Sequence, residues 1–114
     1  MEKRYSIARF DEVEPIRCPC GTTRRAFADD SGAAASFHLL TVEADSKVHY
    51  HKKLTEIYYV LEGEGHVELD GERIAVGPGH AIQIKPLCRH RAVGRLTLIV
   101  VPIPPFDPQD EWFD

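Results

Sequence analysis

Turn-forming residues divide most of this chain into short segments rich in β-branched and aromatic residues, and this division limits the fold more than any other feature. Short segments of this kind, bounded by turn residues, are typical of β-strands. The predicted strands are 35–42, 48–51, 57–62, 66–69, 72–76, 81–84, 90–93 and 95–101. No stretch has a 3.6-residue periodicity long enough to predict a helix, apart from a turn or two within 24–30. The sequence therefore predicts an all-β protein.

The dipeptide Asp70-Gly71 gives the most specific turn prediction. It separates two alternating segments, and a two-residue type I′ hairpin needs positive φ at both central positions, which Asp-Gly tolerates. Further predicted turns are Asp45-Ser46, Gly63-Glu64-Gly65, Gly77-Pro78-Gly79 and Val93-Gly94. Closely spaced strands without helices between them indicate a small barrel or jelly roll rather than βαβ units.

Length and charge narrow both the architecture and the class of partner. A chain of 114 residues suits a single domain. Its formal net charge of -4, without a concentrated basic face, argues against nucleic acid as a partner. The longest apolar run, 96–103, is strand-sized rather than membrane-spanning, so no membrane partner is predicted.

The cysteines do not match a known disulfide or zinc framework. Cys18 and Cys20 lack the C-x2-C spacing of zinc ribbons and redox pairs, so a structural or incidental role is predicted for both. Cys88 is predicted to be a packed thiol. An odd cysteine count, together with the absence of a signal-peptide pattern in residues 1–20, predicts a cytoplasmic protein.

The two ends of the sequence differ in composition from its middle. The predicted division is an N-terminal arm, a β-barrel and a C-terminal arm, at 1–34, 35–103 and 104–114. Both ends are rich in proline and charge, which favours extended chain. Large aromatic residues gain by burial, so Phe106, Trp112 and Phe113 predict that the C-terminal arm packs on its own barrel or on a partner subunit.

Histidine and glutamate occupy a strand-like stretch, 47–71, where apolar residues would be expected. Residues two apart on a strand point to the same face and lie about 6.5–7 Å apart, so His49 and His51 can approach one ion. The loop after them is long enough for Glu56 to begin the neighbouring strand and reach the same point, and Tyr58 shares the face of Glu56. The alternative is a solvated strand face, because surface histidines are common.

Taken together, these features resemble the cupin superfamily in its small single-domain form. The first cupin motif, G-x5-H-x-H-x3/4-E-x6-G, is matched at its spacings by His49, His51, Glu56 and Gly63. The second motif, a glycine and a proline-containing turn followed by histidine, is matched by Gly79 and His90. The resemblance extends over about 42–101 and implies a double-stranded β-helix, or jelly-roll barrel, with extended N- and C-terminal arms.

Departures from the cupin pattern fall at turn positions. Glu43 stands where the first motif usually opens with glycine, and Lys85 and Leu87 replace the usual proline and glycine of the second motif. These substitutions concern the shape of loops. Each ligand position of the motifs keeps a residue that can bind a metal.

The resemblance implies one divalent metal ion inside the barrel, with His49, His51, Glu56 and His90 as its ligands. Three imidazoles and one carboxylate leave coordination positions open for water or substrate, as metal catalysis requires. Mixed nitrogen and oxygen donors suit Fe, Mn, Ni, Co or Zn, and the donor set does not separate these metals.

Tyr58 and His38 are the candidates for the substrate pocket. Core packing remains an alternative for Tyr58, and a surface or supporting position for His38. His66 and His80 match no ligand position. Small cupins commonly pair, so the resemblance and the aromatic C-terminal arm together predict a homodimer.

Two functions remain open for such a metal site, because a fold and a metal do not fix a reaction. One is a metal-dependent enzyme of the dioxygenase or isomerase/lyase type, acting on a small polar organic substrate. The alternative is a non-catalytic protein that binds a sugar or an organic acid with the help of the metal. A structural domain with an incidental metal is a third reading, which the cost of burying four polar ligands disfavours.

Overall fold

The computed structural model describes residues 3–18, 20–43 and 46–114, and strands dominate it. The strands are β1 (Ile16–Cys18), β2 (Gly21–Ala26), β3 (Phe37–Val42), β4 (Thr55–Leu69), β5 (Glu72–Val76), β6 (Ala81–Ile84) and β7 (His90–Ile103). Within this described part of the chain, helix is limited to two 3-10 turns, Phe10–Glu12 and Pro108–Asp110. No helix here has the length and apolarity to cross a membrane. The all-β prediction is confirmed; Asp45 of the predicted turn Asp45-Ser46 lies outside the described residues.

The strands form one antiparallel sheet in the order β1-β2-β3-β7-β4-β5, with β6 hydrogen-bonded to β4. β4 and β7 pair along almost their whole lengths, and a bulge after Val60 shifts the alternation of side chains on β4. Because of this shift Val60 and Val67 both enter the core, where they meet Leu96 and Leu98 of β7. Burying each such side chain contributes about 1.5–3 kcal/mol. The sheet encloses this core as the predicted jelly-roll barrel.

β4 and β7 are each one continuous strand where the sequence predicted two. The predicted turn at Gly63-Glu64-Gly65 lies inside β4, and Gly94 lies inside β7 directly opposite Gly65. The backbones approach so closely here that a Cβ atom built on Gly63 would overlap the carbonyl oxygen of Arg95. These glycines therefore permit a close approach of two paired strands rather than a reversal of the chain.

The two-residue hairpin at Asp70-Gly71 is confirmed. Asp70 has φ 48° and Gly71 has φ 84°, and Leu69 pairs directly with Glu72. Both central residues therefore have the positive φ of a type I′ turn.

The predicted N-terminal arm, 1–34, contributes β1 and β2 to the sheet, and β2 pairs with β3 along its whole length. The helical turn predicted near Arg24 is wrong, because that residue lies in β2. Thr23 points into the barrel, whereas the guanidinium of Arg24 lies on the other face and donates to the carbonyl of Val13 at 2.9 Å. β2 has polar residues on both faces, so its sequence lacks the alternation of apolar and polar residues that predicts a strand. The boundaries at 35 and 103 stay predictions.

The C-terminal segment, residues 104–114, packs on its own barrel, which is one of the two predicted alternatives. Trp112 and Tyr50 exchange two backbone hydrogen bonds of 2.9 and 3.0 Å. The buried carboxylate of Asp110 accepts backbone N–H bonds from Lys52, Lys53 and Leu54 at 2.9–3.2 Å. The segment thus fixes loop 52–54, which connects the two histidines of the first cupin motif to its glutamate.

Candidate metal centre

Four side chains converge at one end of the barrel interior: His49, His51, Glu56 and His90, called here the His/Glu cluster. One potential ligand atom of each lies within 4.8 Å of those of the other three. β4 directs Glu56 inward. His49 and His90 exchange two backbone hydrogen bonds of 3.1 and 2.9 Å, which hold their imidazoles side by side. Residues from three separate parts of the chain therefore meet at one point.

The cluster is too deeply buried to be a solvated strand face. The relative exposure of His90 is 0%, that of His51 is 3% and that of Glu56 is 6%. Ionisable side chains are rarely buried to this extent unless they are paired or bind a metal. The alternative of a solvated face is excluded by these values.

The three imidazoles of the cluster share one hydrogen-bonding arrangement. Nδ1 of each lies 2.6–3.0 Å from a backbone carbonyl oxygen, that of Lys47 for His49, Asp110 for His51 and Cys88 for His90. A carbonyl oxygen only accepts, so Nδ1 carries the proton and donates in all three. In the neutral imidazoles the Nε2 lone pair is left free, which is the state a metal ligand needs.

Glu56 lies against two of these Nε2 atoms. Its Oε1 is 3.0 Å from Nε2 of His51 and 3.0 Å from Nε2 of His90. Burial alone would raise the pKa of Glu56, but hydrogen bonds and positive charge from His51 and His90, when their Nε2 atoms carry protons, outweigh it and lower that pKa to about 2. Glu56 therefore stays ionised at neutral pH, and a carboxylate facing two Nε2 lone pairs needs a cation or protons between them.

Electrostatics distinguish the imidazoles from one another. Burial lowers the pKa of His51, but contact with the Glu56 carboxylate more than compensates, so the pKa is raised. For His49, burial and the neighbouring His90 both act downward, and the pKa is lowered.

A cavity of about 450 Å³ adjoins the cluster. Both predicted pocket residues, Tyr58 and His38, line it, and so does Glu56. The C-terminal segment adds the rings of Phe106 and Phe113 to its wall. Contact of Tyr58 and His38 with a substrate stays a prediction.

His38 is held in the cavity wall by a short polar chain. Its Nε2 lies 2.9 Å from Oγ of Ser36, and that hydroxyl oxygen accepts the backbone N–H of Phe106 at 2.9 Å. Burial and the positive charge of Arg25 lower the pKa of His38 to about 4. His38 is therefore neutral at physiological pH.

Lowering the pH from 7 to 5 is expected to destabilise the parent protein more than a His38→Gln variant. In the unfolded chain the pKa of histidine is about 6.5, whereas His38 in the folded protein has a pKa of about 4. The unfolded state therefore takes up the proton first as the pH falls, and stability is lost between these two values. The extra loss in the parent should be on the order of 1–2 kcal/mol in urea unfolding. Equal losses in the two proteins would contradict a neutral, buried His38.

The cysteines stay outside the cluster. Cys18 and Cys20 line the cavity as free thiols, and burial together with the neighbouring Cys18 raises the pKa of Cys20 to about 12. Burial and the nearby Asp70 raise the pKa of Cys88 as well, as expected of a packed thiol. The thiols of Cys20 and Cys88 are thus protonated at neutral pH, unlike metal-binding or nucleophilic cysteines.

His66 and His80 also lie away from the cluster. Nε2 of His66 is 3.8 Å from a carboxylate oxygen of Glu68, and His80 forms a local contact with Gly77 in the exposed turn.

Sequence reasoning missed Asp110 and Arg25. Asp110 fixes the tautomer of His51 through its carbonyl oxygen, and Arg25 lines the cavity from β2. Neither belongs to a cupin motif, and Asp110 is 59 residues from its partner. No local pattern marks a contact across that distance.

Comparison with known proteins places these features in a family. Residues 36–101 match the family model Cupin_2, described as Cupin domain. An uncharacterized protein of Methanocaldococcus jannaschii is 31% identical over 110 residues, covering 89% of this chain and 88% of the relative. The crystal structure of a protein from Planctomyces limnophilus superposes with a TM-score of 0.89 at 40% identity, over 96% of each chain.

Pac13 of Streptomyces, a nucleoside dehydratase whose variants were solved with uridine, is also similar in structure. It superposes with a TM-score of 0.82 at 21% identity, over 96% of this chain and 90% of its own. At that identity the likeness shows a shared fold alone.

Proposed function

The chain belongs to the Cupin_2 family of cupin domains, and we propose that it is a metal-dependent enzyme acting on a small polar organic substrate. His49, His51, Glu56 and His90 would hold one divalent ion. The observation that carries this proposal is the arrangement of donors: three imidazoles fixed with Nδ1 protonated surround an ionised, buried carboxylate. A divalent cation satisfies all four groups at once, and these donors fit Fe, Mn, Ni, Co or Zn.

A metal bound at the cluster would polarise an oxygen atom of the substrate. The protein's own contribution is to hold the donors in place, since the carbonyl oxygens behind the imidazoles fix both tautomer and ring orientation. The cavity of about 450 Å³ is of the size that encloses a small organic molecule. Part of its wall is apolar, including Leu40, Val100 and Phe106, and would limit the access of water to the reacting atoms.

Tyr58 is the residue best placed to assist. It lies two residues after Glu56 on the inner face of β4 and lines the cavity. Burial, and then the charge of Glu56, raise its pKa well above the ordinary value. The phenol therefore keeps its proton and acts as a hydrogen-bond donor that orients a substrate oxygen.

Two reaction types belong to the proposal, namely dioxygenase and isomerase or lyase. The fold shared with Pac13, a dehydratase, does not choose between them, because a fold does not fix a reaction. Oxygen consumption separates the two types, because lyases and isomerases use no dioxygen.

The test begins with metal analysis of untagged protein, followed by reconstitution with Fe, Mn, Ni, Co or Zn. We expect one equivalent of metal. An oxygen-uptake screen with catechols, thiols and diketones, and NMR detection of water loss from hydroxycarbonyl compounds, should then reveal turnover. Tyr58→Phe should retain the metal and lower turnover. Tight metal binding with ligand affinity but no turnover would favour the non-catalytic binding protein, and absence of metal binding would contradict both.

We further propose a cytoplasmic homodimer. The aromatic rings of Trp112 and Phe113 stay partly exposed, at 39% and 53%, which supports a subunit contact near the cavity. The free thiols of the three cysteines support a reducing compartment.

A further inference from the structure

Arg25 lies on the inner face of β2 and lines the cavity beside the His/Glu cluster. Its Nε atom is buried and has no hydrogen-bond partner among the described residues. The ion pairs formed within residues 3–18, 20–43 and 46–114 do not include Arg25. A guanidinium is permanently charged, so this cavity contains a cation that forms no ion pair with another described residue.

The neighbouring Arg24, in contrast, has protein hydrogen-bond partners for its guanidinium. Its guanidinium points to the other face of β2 and is held by the carbonyl oxygens of Phe10 and Val13. A buried donor without an acceptor lowers stability, and more so when it is charged. β2 thus gives the outward arginine protein acceptors and gives the inward one none among the described residues, which leaves the terminal N–H groups of Arg25 open to an acceptor supplied by a ligand.

The surroundings of Arg25 orient its donors. Its Cζ lies 4.4 Å from the ring centroid of Phe106, so the aromatic ring covers part of the guanidinium, as in a cation–π contact. His38, its direct partner across the β2–β3 ladder, contacts the same ring with centroids 5.7 Å apart. These neighbours supply no counter-charge, because one is apolar and the other is neutral at physiological pH.

The charge of the cavity also favours an anion. Glu56 contributes one negative charge, and a divalent ion at the cluster would more than offset it. Arg25 then adds a further positive charge, while Lys47 and Glu111 in the wall balance each other. An anionic ligand neutralises this excess in a partly enclosed, low-dielectric space, where unpaired charge is costly.

We propose that Arg25 is a specificity-determining residue that binds a carboxylate of the ligand through a bidentate pair. The planar guanidinium fork matches a carboxylate in geometry. A phosphate dianion is less suited to this end of the cavity, where one cation stands beside an aromatic ring and a neutral imidazole. The proposal rests on the proposed function in two respects, since the divalent ion contributes to the charge of the cavity and the function makes the ligand a substrate. The substrate class is then a small organic acid whose other end faces the His/Glu cluster.

The experiment measures binding of malonate, succinate and glutarate, each beside its neutral diamide, by calorimetry or NMR titration. The proteins are the parent, Arg25→Gln, Arg25→Lys and the matched control Arg24→Gln, each with and without Zn²⁺, and each checked for folding by thermal melting. In the parent, at least one acid should bind about tenfold or more tightly than its diamide. Arg25→Gln should abolish that preference, Arg25→Lys should keep part of it, and Arg24→Gln should leave it unchanged.

An undiminished preference for the acid in folded Arg25→Gln would overturn the proposal. So would binding of none of the acids by the parent, or Arg25-dependent binding of inorganic phosphate alone. The Zn²⁺ arm keeps the two proposals apart. If Zn²⁺ does not bind but the Arg25-dependent preference persists, the carboxylate site stands and the metal-dependent function fails. If Zn²⁺ binds but no Arg25-dependent preference is seen, only the carboxylate site is refuted.

Discussion

Replacing His51 by alanine is expected to lower the affinity of the protein for Zn²⁺ by roughly 100-fold or more. The substitution removes one of four converging donors, and loss of a supporting residue behind a ligand already costs about 10–100-fold. The barrel should still fold, because its strands are held by fully buried apolar residues such as Val60 and Leu98 rather than by the ion. Competition with a chromogenic chelator at neutral pH gives the affinities.

His66→Ala is the matched control for this experiment. His66 is a histidine of β4 that lies outside the cluster, so the same chemical deletion there should leave the Zn²⁺ affinity unchanged. Thermal melting of the metal-free proteins establishes that both variants are folded. If folded His51→Ala holds Zn²⁺ as tightly as the parent, the proposed ligand set is wrong.

Gly63→Ala is expected to be among the most damaging single methyl additions in the chain. Gly63 has φ 93°, and the added Cβ atom would overlap the carbonyl oxygen of Arg95 on the paired strand. Neither backbone can withdraw without breaking the β4–β7 ladder. We expect a loss of about 4 kcal/mol or more, which corresponds to a fall in melting temperature of roughly 15 °C or more for a domain of this size.

Gly79→Ala is the control that isolates the conformational part of that effect, so the difference between the two variants gives the steric part. Gly79 has nearly the same φ, 94°, but a Cβ atom built there meets nothing within 4 Å. Only the conformational cost of about 1–2 kcal/mol remains, so the melting temperature should fall by roughly 5 °C. Similar losses in the two variants, measured by calorimetry or by the soluble folded yield, would contradict the close approach of β4 and β7 at Gly63.

Gly63 also shows which parts of the fold the sequence predicted and which it did not. Most short β-rich segments predicted strands correctly, and Asp70-Gly71 predicted the hairpin, because these features act locally. The predicted strand 48–51 is wrong, since His49 and Tyr50 form only isolated bridges to distant parts of the chain. Gly63 and Gly94 were interpreted as turns, since a glycine between two strand-like segments most often reverses the chain. Their actual role, close approach of two strands, depends on the paired strand and leaves no local signal.

The candidate site divides in the same way. His49, His51 and Glu56 lie within one short stretch, so strand geometry alone was enough to predict that they lie close together. His90 joined them only through the cupin resemblance. Asp110 and Arg25 act across the fold, on His51 and on the cavity, and neither lies at a motif position. Their contributions therefore became visible only in the folded chain.

The dependence of His51 on Asp110 has a consequence for the order of events during translation. Asp110 leaves the ribosome 59 residues after His51, which at about 5–20 residues per second is a delay of roughly 3–12 seconds. Throughout that delay the nascent chain displays His49 and His51 without the carbonyl that selects the tautomer of His51. If the cluster binds a metal as proposed, an ion captured during that delay would meet an incomplete donor set and exchange readily. The choice of metal would then be made by the finished barrel, from the pool of exchangeable ions, and not by the growing chain.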